Sequence, residues 1–323
     1  MTHVLTSSDV EFVEADAIAS IVYDGNELNE KGTSANAAVV RDLSDIKDRA
    51  TGGRGVDIYS LDTGINIAHT CFGGRASWGA VSNLYAILDL VLMRPSFKCH
   101  FNQTFGGYAN RDGNGHGTHT AGTAVCKTYG VATSARIIAV KVLSDRGKGT
   151  YSDIISGVNW VHNRFRSSRR PSIATMSLGG SPSTALDKAI TNAINGGLHF
   201  TVAAGNWAID ASFVSPARVR PANTVGACDG RNRMASFSDF GSVLDVFAPG
   251  VNILSAWIGS TTATKILSGT SMSTPYVAGI LAVALGEHGQ MTPASLSSSL
   301  KSHAKHVITG QPVGTTNLKA TLW

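Results

Sequence analysis

Short apolar runs alternate with stretches of helical spacing along most of the chain. The apolar runs end in small or turn-forming residues and cover residues 56–61, 136–143, 172–178 and 199–205. Between them, apolar positions recur with helical periodicity over residues 116–126, 150–165 and 184–197. Strands that alternate with helices predict a doubly wound α/β fold, in which a mostly parallel sheet carries helices on both faces. Functional residues of such sheets gather at the carboxyl ends of the strands.

The composition is that of a globular protein. The chain has 323 residues, of which 43% are hydrophobic and 15% charged, and this length suits one large domain with a short appendage. The net charge is +5 and the basic residues are scattered, apart from the cluster Arg164–Arg170, so we expect no nucleic-acid partner. The most apolar run, residues 84–93, is too short to cross a bilayer and contains Asp89, so we expect no membrane segment.

The start of the chain and the cysteines add little by themselves. Residues 1–12 lack the charged and apolar regions of a signal peptide. The chain has four cysteines, Cys71, Cys99, Cys126 and Cys228. They are too few for a disulfide scaffold and lack zinc-ligand spacing, so they do not indicate whether the protein works in a reducing or an oxidising compartment.

Three polar motifs fall where strands end or helices begin. Asp62 follows the first strand, His116 starts a helix after a glycine-rich loop, and Ser271 stands in SGTSMSTP before an apolar helix. Each has an ordinary alternative, since Asp-Thr-Gly forms turns, single histidines are often structural, and serine often caps helices. Together they supply an acid, a base and a nucleophile at one sheet edge, which is what activated-serine chemistry requires.

Two other classes of protein fit poorly. Aspartic proteases also carry Asp-Thr-Gly, but they need two such carboxylates and this chain has a single DTG and no DSG. The glycines at 113, 115 and 117 miss the G-x-G-x-x-G spacing of nucleotide-binding loops, and no Walker lysine follows them.

The motifs DTGI, GNGHGTHTAGT and SGTSMSTPYVAG, in this order, resemble the three signatures of subtilisin-like serine proteases, with the greatest similarity to the fungal proteinase K subfamily. The resemblance extends over about residues 55–320. It implies a subtilisin-like fold and an Asp–His–Ser triad in subtilisin order. Ser271 would be the nucleophile, His116 the base and Asp62 its orienting acid, with Asn206 as the oxyanion donor.

The resemblance also implies a substrate site. An extended peptide would pair with two backbone segments, and Ala203, Ala204 and Gly205 would form the wall of an uncharged pocket. The pairing segments are Gly147, Lys148 and Gly149, and Ser177, Leu178, Gly179 and Gly180. Main-chain pairing tolerates many side chains, so the expectation is a broad endopeptidase that prefers apolar or aromatic residues before the cut. Protein and peptide substrates, a monomeric state, an extracellular location and the absence of an organic cofactor follow from the same resemblance.

The N-terminal region is similar to part of a propeptide. SSDVEFVEADAIASI resembles the last strand of the family's inhibitory propeptide, so residues 1–32 are interpreted as a propeptide remnant with a linker. Residues 33–323 would then be the peptidase domain, with processing near residues 28–36. The shortness of this piece suggests an incomplete N-terminus, and the propeptide is expected to act as the chain's own inhibitor.

Residues 81–103 interrupt the resemblance. Their ends, Val-Ser-Asn and Asn-Gln, can be encoded as GTAAGTAAC and AACCAG, which are typical intron ends, so an unspliced intron translated in frame is one hypothesis. A genuine surface insertion is the alternative. If the insertion and the short propeptide prevented correct folding, the chain would be a catalytically incompetent relative of a protease.

The resemblance suggests two stabilising features. Many subtilisins use calcium to join the regions that hold Cys71 and Cys126 here, so a Cys71–Cys126 disulfide would replace that clamp, would leave Cys228 free and would favour an extracellular location. Asp245 resembles a calcium-binding carboxylate, with the backbone carbonyls of Arg220 and Ala222 as partners. A strand-edge aspartate with ordinary hydrogen bonds is the alternative.

Overall fold

A parallel sheet forms the centre of the molecule in the computed structural model, which describes residues 14–21, 52–79 and 107–323. Among these residues, nine strands lie in the order β13-β14-β10-β9-β8-β6-β2-β4-β3, and all neighbours are parallel except β13 and β14. The strands are β2 (Asp57–Asp62), β3 (Ala76–Trp78), β4 (Arg136–Lys141), β6 (Ser172–Met176), β8 (His199–Ala203), β9 (Asn223–Cys228), β10 (Val246–Pro249), β13 (Lys305–His306) and β14 (Leu318–Lys319).

Two smaller sheets lie beside the central one. The first is three-stranded and antiparallel, with β1 (Ile18–Ile21) between β5 (Lys148–Thr150) and β7 (Leu178–Gly179). The second is the hairpin of β11 (Ile253–Ala256) and β12 (Thr264–Leu267). The first of these small sheets joins an N-terminal strand to both segments that were predicted to pair with a substrate.

Helices cover both faces of the central sheet, and the predicted fold is confirmed. The helices of the described part are α1 (His116–Val125), α2 (Tyr151–Ser168), α3 (Thr184–Asn195), α4 (Thr270–His288) and α5 (Pro293–His303). Helices α1, α4 and α5 contribute to one buried apolar cluster, and α2 and α3 contribute to the other. Helix α4 is apolar on nearly all sides and almost entirely buried, which is typical of a helix inside a core.

The helix starts fall into two groups. Thr150, Ser183 and Thr292 cap α2, α3 and α5 with their side-chain oxygens, as these residues commonly do. Helices α1 and α4 instead begin after Gly115 and Gly269, which offer no side-chain cap. The backbone N–H groups at these two starts need acceptors from elsewhere in the fold.

The strand order places a switch point at β2. After β2 the chain builds β3 and β4 on one side of this strand, and then crosses to build β6, β8, β9 and β10 on the other. Ligands of doubly wound sheets bind where the strand order reverses, beyond the carboxyl ends of the strands. Asp62 is the last residue of β2 and therefore lies at this point.

Candidate active site

Asp62 is buried and its carboxylate faces the start of α1. The side chain is 2% exposed. Its two oxygens lie 2.8 and 3.0 Å from Nδ1 of His116. The backbone N–H of Thr63 donates to Oδ1 at 2.7 Å, and the hydroxyl of Thr120 donates to Oδ2 at 3.2 Å. These donors fix the carboxylate against one ring nitrogen of the histidine.

His116 is the first residue of α1 and is 1% exposed. The helix start is held by Asp112, whose carboxylate accepts from the N–H of Gly115 at 2.8 Å and from the N–H and hydroxyl of Thr118 at 2.9 and 2.6 Å. Thr63 joins this network, because its hydroxyl donates to Asp112 at 2.9 Å. Neither Asp112 nor Thr63 was predicted from the sequence as a site residue, although Asp112 stands in the motif DGNGHG.

Gly115 has a specific reason to be glycine. Its φ is +100°, and a Cβ here would lie 2.6 Å from the ring of Trp257. Few residues other than glycine adopt this backbone conformation, and the approaching ring leaves no room for a side chain. The glycine-rich loop is therefore required to start α1 at His116.

Ser271 lies in the first turn of α4, which packs against α1. The cap position belongs to Gly269 and the helix begins at Thr270, so Ser271 is not the N-cap and the alternative interpretation of this serine is wrong. Its hydroxyl donates to the carbonyl of Ser177 at 3.3 Å, and the Ser177 hydroxyl donates to the carbonyl of Ser271 at 2.9 Å. Ser271 thus lies beside a segment predicted to bind substrate, at the positive end of a helix dipole.

Asn206 follows β8 and its amide is fixed in one orientation. The amide oxygen accepts from the N–H and the hydroxyl of Thr270, at 2.9 and 2.8 Å. The amide nitrogen is buried and has no hydrogen-bond partner among the described residues. A buried donor without a partner is costly, and one beside the helix start that holds Ser271 suits a negative charge that develops during a reaction.

The strand β1 occupies the space between the two segments predicted to bind a peptide. Ala19 pairs with Gly149, and Ser20 pairs with both Lys148 and Gly179. Ile21 pairs with Leu178. The N–H of Ile21 also donates to the carbonyl of Gly147 at 2.9 Å. The chain's own N-terminal segment is therefore bound there as an added strand.

Two acidic residues before β1 fasten it to helix starts. The Glu14 carboxylate accepts from the N–H groups of Thr184 and Ala185 at 2.8 and 3.2 Å, at the start of α3. Asp16 accepts from the N–H and hydroxyl of Ser152 at 3.1 and 2.6 Å, near the start of α2. Hydrogen bonds led by Ser183 lower the pKa of Glu14, and those led by Ser152 lower the pKa of Asp16. Carboxylates at helix N-termini are stabilising.

The remaining predicted substrate residues lie next to this edge. Ala203 ends β8, and Ala203, Ala204 and Gly205 are all buried. Gly180 follows β7 and bridges to Ser215 in antiparallel fashion. The three wall residues carry no charge, and their role in substrate preference stays a prediction.

The thiols of Cys71 and Cys126 lie together, but the predicted disulfide is not formed in the structure. Both cysteines are buried, and the hydrogen bond between Cys71 and Cys126, together with burial, raises the pKa of the Cys71 thiol. The backbone N–H of Lys127 donates to the carbonyl of Cys71 at 3.0 Å, so the two regions are joined without a covalent bond.

The residues around Asp245 do not fit the predicted calcium ion. One carboxylate oxygen accepts from Nζ of Lys301 at 2.9 Å and the other from the N–H of Thr224 at 3.0 Å. The guanidinium of Arg220, which bonds the carbonyl of Ser242 at 2.9 Å, adds a second cation that acts on the Asp245 carboxylate. The predicted calcium ligands comprise a single carboxylate, that of Asp245, because Arg220 and Ala222 could supply only backbone carbonyls. Lys301 already binds that carboxylate. Within the described ranges, no group of three or more His, Cys, Asp or Glu side chains could hold a metal.

Several predictions fall outside the described residues. Residues 81–103, with the intron hypothesis, and the expected processing region at 28–36 belong to them. The boundary between residues 32 and 33 stays a prediction for the same reason. In the described part of the chain, no helix has the length and apolar character that crossing a membrane requires.

Comparison with known proteins agrees with this geometry. The model of the subtilase family (Peptidase_S8) matches residues 53–320, so the chain belongs to the subtilase family. It is similar to subtilisin-like protease 2 of Pseudogymnoascus destructans, with 40% identity over 98% of this chain and 75% of that protein. It is also similar to the subtilase-type proteinase psp3 of Schizosaccharomyces pombe, with 45% identity over 84% of this chain and 56% of that protein.

A solved structure is similar as well. The crystal structure of a cold adapted subtilisin-like serine proteinase matches with a TM-score of 0.72 and 41% sequence identity, covering 84% of this chain and 90% of that one. The chain spans about half the length of several curated relatives, for example 53% of the subtilisin-like serine protease Pen ch 18 of Penicillium rubens. Assignment to the proteinase K subfamily stays a prediction.

Proposed function

We propose that this chain is a serine endopeptidase that cuts peptide bonds through Asp62, His116 and Ser271. The observation that carries the proposal is the buried contact of Asp62 with Nδ1 of His116. His116 begins α1, and α1 packs against α4, the helix that contains Ser271. His116 uses its other ring nitrogen, Nε2, to take the Ser271 hydroxyl proton as the oxygen attacks the peptide carbonyl. Asp62 keeps the ring oriented and stabilises its charged form.

The oxyanion would be held by Asn206 and by the backbone N–H of Ser271. The amide orientation supports this role, since Thr270 uses both of its donors on the Asn206 oxygen and leaves the nitrogen for another acceptor. After the tetrahedral intermediate collapses, His116 returns the proton to the leaving amine and an acyl group remains on Ser271. Water then attacks this ester while His116 takes a proton from the water, and His116 returns the proton to the Ser271 oxygen as the acyl group leaves.

A substrate would bind as an extended strand between β5 and β7, in the manner of β1. Backbone pairing supports broad specificity, and the uncharged wall of Ala203, Ala204 and Gly205 supports an apolar or aromatic residue before the cut. Hydrolysis of a peptide library should therefore show cuts after Leu, Phe, Tyr or Met, and cuts concentrated after Lys or Arg would contradict this assignment.

The segment 14–21 would act as an intramolecular inhibitor, because it fills the strand position that a substrate needs. Its direction also suggests where processing occurs. Ser20 pairs with Gly179 and Ile21 with Leu178, so the strand runs toward Ser177 and the nucleophile. The peptide bonds between Ile21 and the end of the expected processing region at 28–36 are therefore the candidates for self-cleavage, and mass spectrometry of the new termini would identify the bond. We further propose that the enzyme acts as a monomer outside the cell.

The test compares the chain with Ser271→Ala and with Ser273→Ala. Ser273 is a buried serine of the same helix whose hydroxyl bonds the carbonyl of Ala248 at 2.9 Å, so it matches Ser271 in type and surroundings. Peptide hydrolysis should vanish in Ser271→Ala and persist in Ser273→Ala. Equal hydrolysis by all three proteins would refute the assignment of the nucleophile, and hydrolysis by none would identify an inactive chain.

A further inference from the structure

Asp239 is a buried carboxylate beside the proposed oxyanion donor, and the triad does not use it. Its exposed fraction is 0%, and it lies in the loop between β9 and β10. Burial raises the pKa of Asp239 to about 6, while the N–H groups of Ile209 and Trp207 lower it and the charge of Asp210 raises it further. A buried ionisable group of this kind is unfavourable for folding unless its contacts compensate.

Asp239 forms hydrogen bonds with the backbone on both sides of Asn206 in the sequence. The backbone N–H of Asp239 donates to the carbonyl of Gly205 at 2.9 Å. Its Oδ1 accepts from the N–H of Trp207 at 2.8 Å and from the N–H of Ile209 at 3.0 Å. One residue therefore holds the peptide groups immediately before and after Asn206.

Gly205 is shaped around the same carboxylate. Its φ is +123°, and a Cβ at this position would lie 1.9 Å from Oδ2 of Asp239. The backbone approaches the carboxylate so closely that only glycine fits. The position of Asp239 and the path of the chain into Asn206 are thus fixed together.

Asn206 has two anchors of different kinds. Thr270 holds the side-chain oxygen, and Asp239 holds the backbone. Without the carboxylate, the N–H groups of Trp207 and Ile209 would lose their acceptor, and the loop would move to find others. A shift of the Asn206 backbone would carry the amide nitrogen away from the place where the oxyanion forms.

We propose that Asp239 is a positioning residue for the oxyanion hole, which acts on the reaction only by holding the backbone that presents Asn206. This inference rests on the proposed function. It assigns to Asp239 a contribution to kcat and not to substrate binding, because no group of Asp239 is exposed to a substrate. An acceptor oxygen at this position, with or without charge, is what the loop requires.

The first experiment separates kcat from KM in two variants. Misplacement by about 1 Å can cost about 10²-fold in rate, and in subtilisin the loss of the corresponding donor costs about 10²–10³-fold in kcat. We expect Asp239→Ala to lower kcat by about 10–100-fold, a smaller loss than removal of the donor itself causes, with KM almost unchanged. Asp239→Asn should restore kcat to within a few-fold, because its amide oxygen accepts the same N–H groups.

The decisive experiment is a double-mutant cycle with Asn206→Ala. If Asp239 acts through Asn206 alone, adding Asp239→Ala to Asn206→Ala should lower kcat no further. Independent, multiplicative losses would overturn the inference while leaving the proposed function intact. Absence of any Ser271-dependent hydrolysis in the parent chain would overturn both. If Asp239→Ala fails to fold, Asp239→Ser takes its place in the cycle.

A matched control separates positioning from general stability. Asp57 is also buried, at 2% exposure, but it is the first residue of β2, at the end of this strand away from Asp62. There it pairs with Arg136 and Arg170. Asp57→Ala should lower Tm and leave kcat per active site unchanged. A loss of kcat in this variant equal to that of Asp239→Ala would show that destabilisation alone explains the effect, and would overturn the inference.

Discussion

Replacing Ala19 with aspartate should displace β1 from the cleft, whereas the same change at Ile18 should not. Ala19 is 0% exposed and belongs to the apolar cluster that includes Tyr151 and Leu178. Ile18 is 57% exposed on the same strand. The two substitutions add the same charge at neighbouring positions and differ in whether that charge is buried.

The magnitude follows from the surroundings of Ala19. An aspartate there would be an unpaired charge in an apolar cluster, or would have to be protonated. Protonation at pH 8, about four units above an ordinary aspartate pKa, costs about 5 kcal/mol. Because the new side chain becomes partly hydrated when the strand loosens, we take the free-energy cost as about 3 kcal/mol. This cost corresponds to about a hundredfold lower occupancy of the cleft by β1. At position 18 the carboxylate stays in water, and the cost is below about 0.5 kcal/mol.

The assay is the rate at which a fluorophosphonate inactivates the full chain, since the probe needs an open cleft to reach Ser271. Ala19→Asp should react about 30–100 times faster than the parent, and Ile18→Asp should react at the parent rate. Identical rates for all three proteins would refute the inhibitory role of β1. Equal acceleration in both variants would show that a charge anywhere on this strand disturbs the fold, and would contradict the predicted dependence on burial at Ala19.

Three further predictions concern the supporting structure. The pKa of Asp239 is raised to about 6 from 3.8 in the unfolded chain. Its ionisation therefore lowers folding stability above pH 6 by up to about 3 kcal/mol, and this penalty disappears as the pH falls toward 4. Asp239→Asn should raise Tm at pH 8 and not at pH 4, and a gain in Tm that does not depend on pH would show that ionisation of Asp239 is not its cause. Because Lys301 holds Asp245, Asp245→Asn should change Tm by the same amount in excess calcium and in excess chelator; a change seen in calcium alone would show that calcium binds there. A Cβ at Gly117 would lie 2.1 Å from a carbonyl oxygen of the loop that follows β2, so Gly117→Ala should lower kcat at least tenfold. Gly122→Ala, which is crowded elsewhere in α1, should lower Tm and preserve kcat. Equal kcat values for the two variants would contradict the requirement for close packing at the triad.

The sequence allowed a correct prediction of the parallel core because its strands are continuous apolar runs between amphipathic helices. The run at 56–61 and the helix that starts at His116 are observed almost as predicted. Strand β9 was missed, since Asn223 and Gly226 interrupt its apolar pattern. Short edge strands such as β13 have no pattern of their own and exist only through pairing with a neighbour.

The site was predictable where motifs carry the chemistry and not where distant residues meet. Asp62, His116, Ser271 and Asn206 each stand in a recognisable motif, whereas Asp239 reaches Asn206 from a loop more than thirty positions away in the chain. Lys301 likewise meets Asp245 through the packing of α5. No local pattern reports such contacts, because they depend on how loops and helices lie on the sheet. The expectation of a calcium ion at Asp245 could not take Lys301 into account for this reason.

The most direct measurement of the proposed triad is the site of covalent labelling by a fluorophosphonate, mapped by peptide mass spectrometry. We expect a single adduct on Ser271, no adduct in Ser271→Ala, and the same adduct as in the parent in Ser273→Ala. An adduct on another serine, or no adduct on a folded chain in which Ala19→Asp has opened the cleft, would contradict the claim that Asp62, His116 and Ser271 form a working triad.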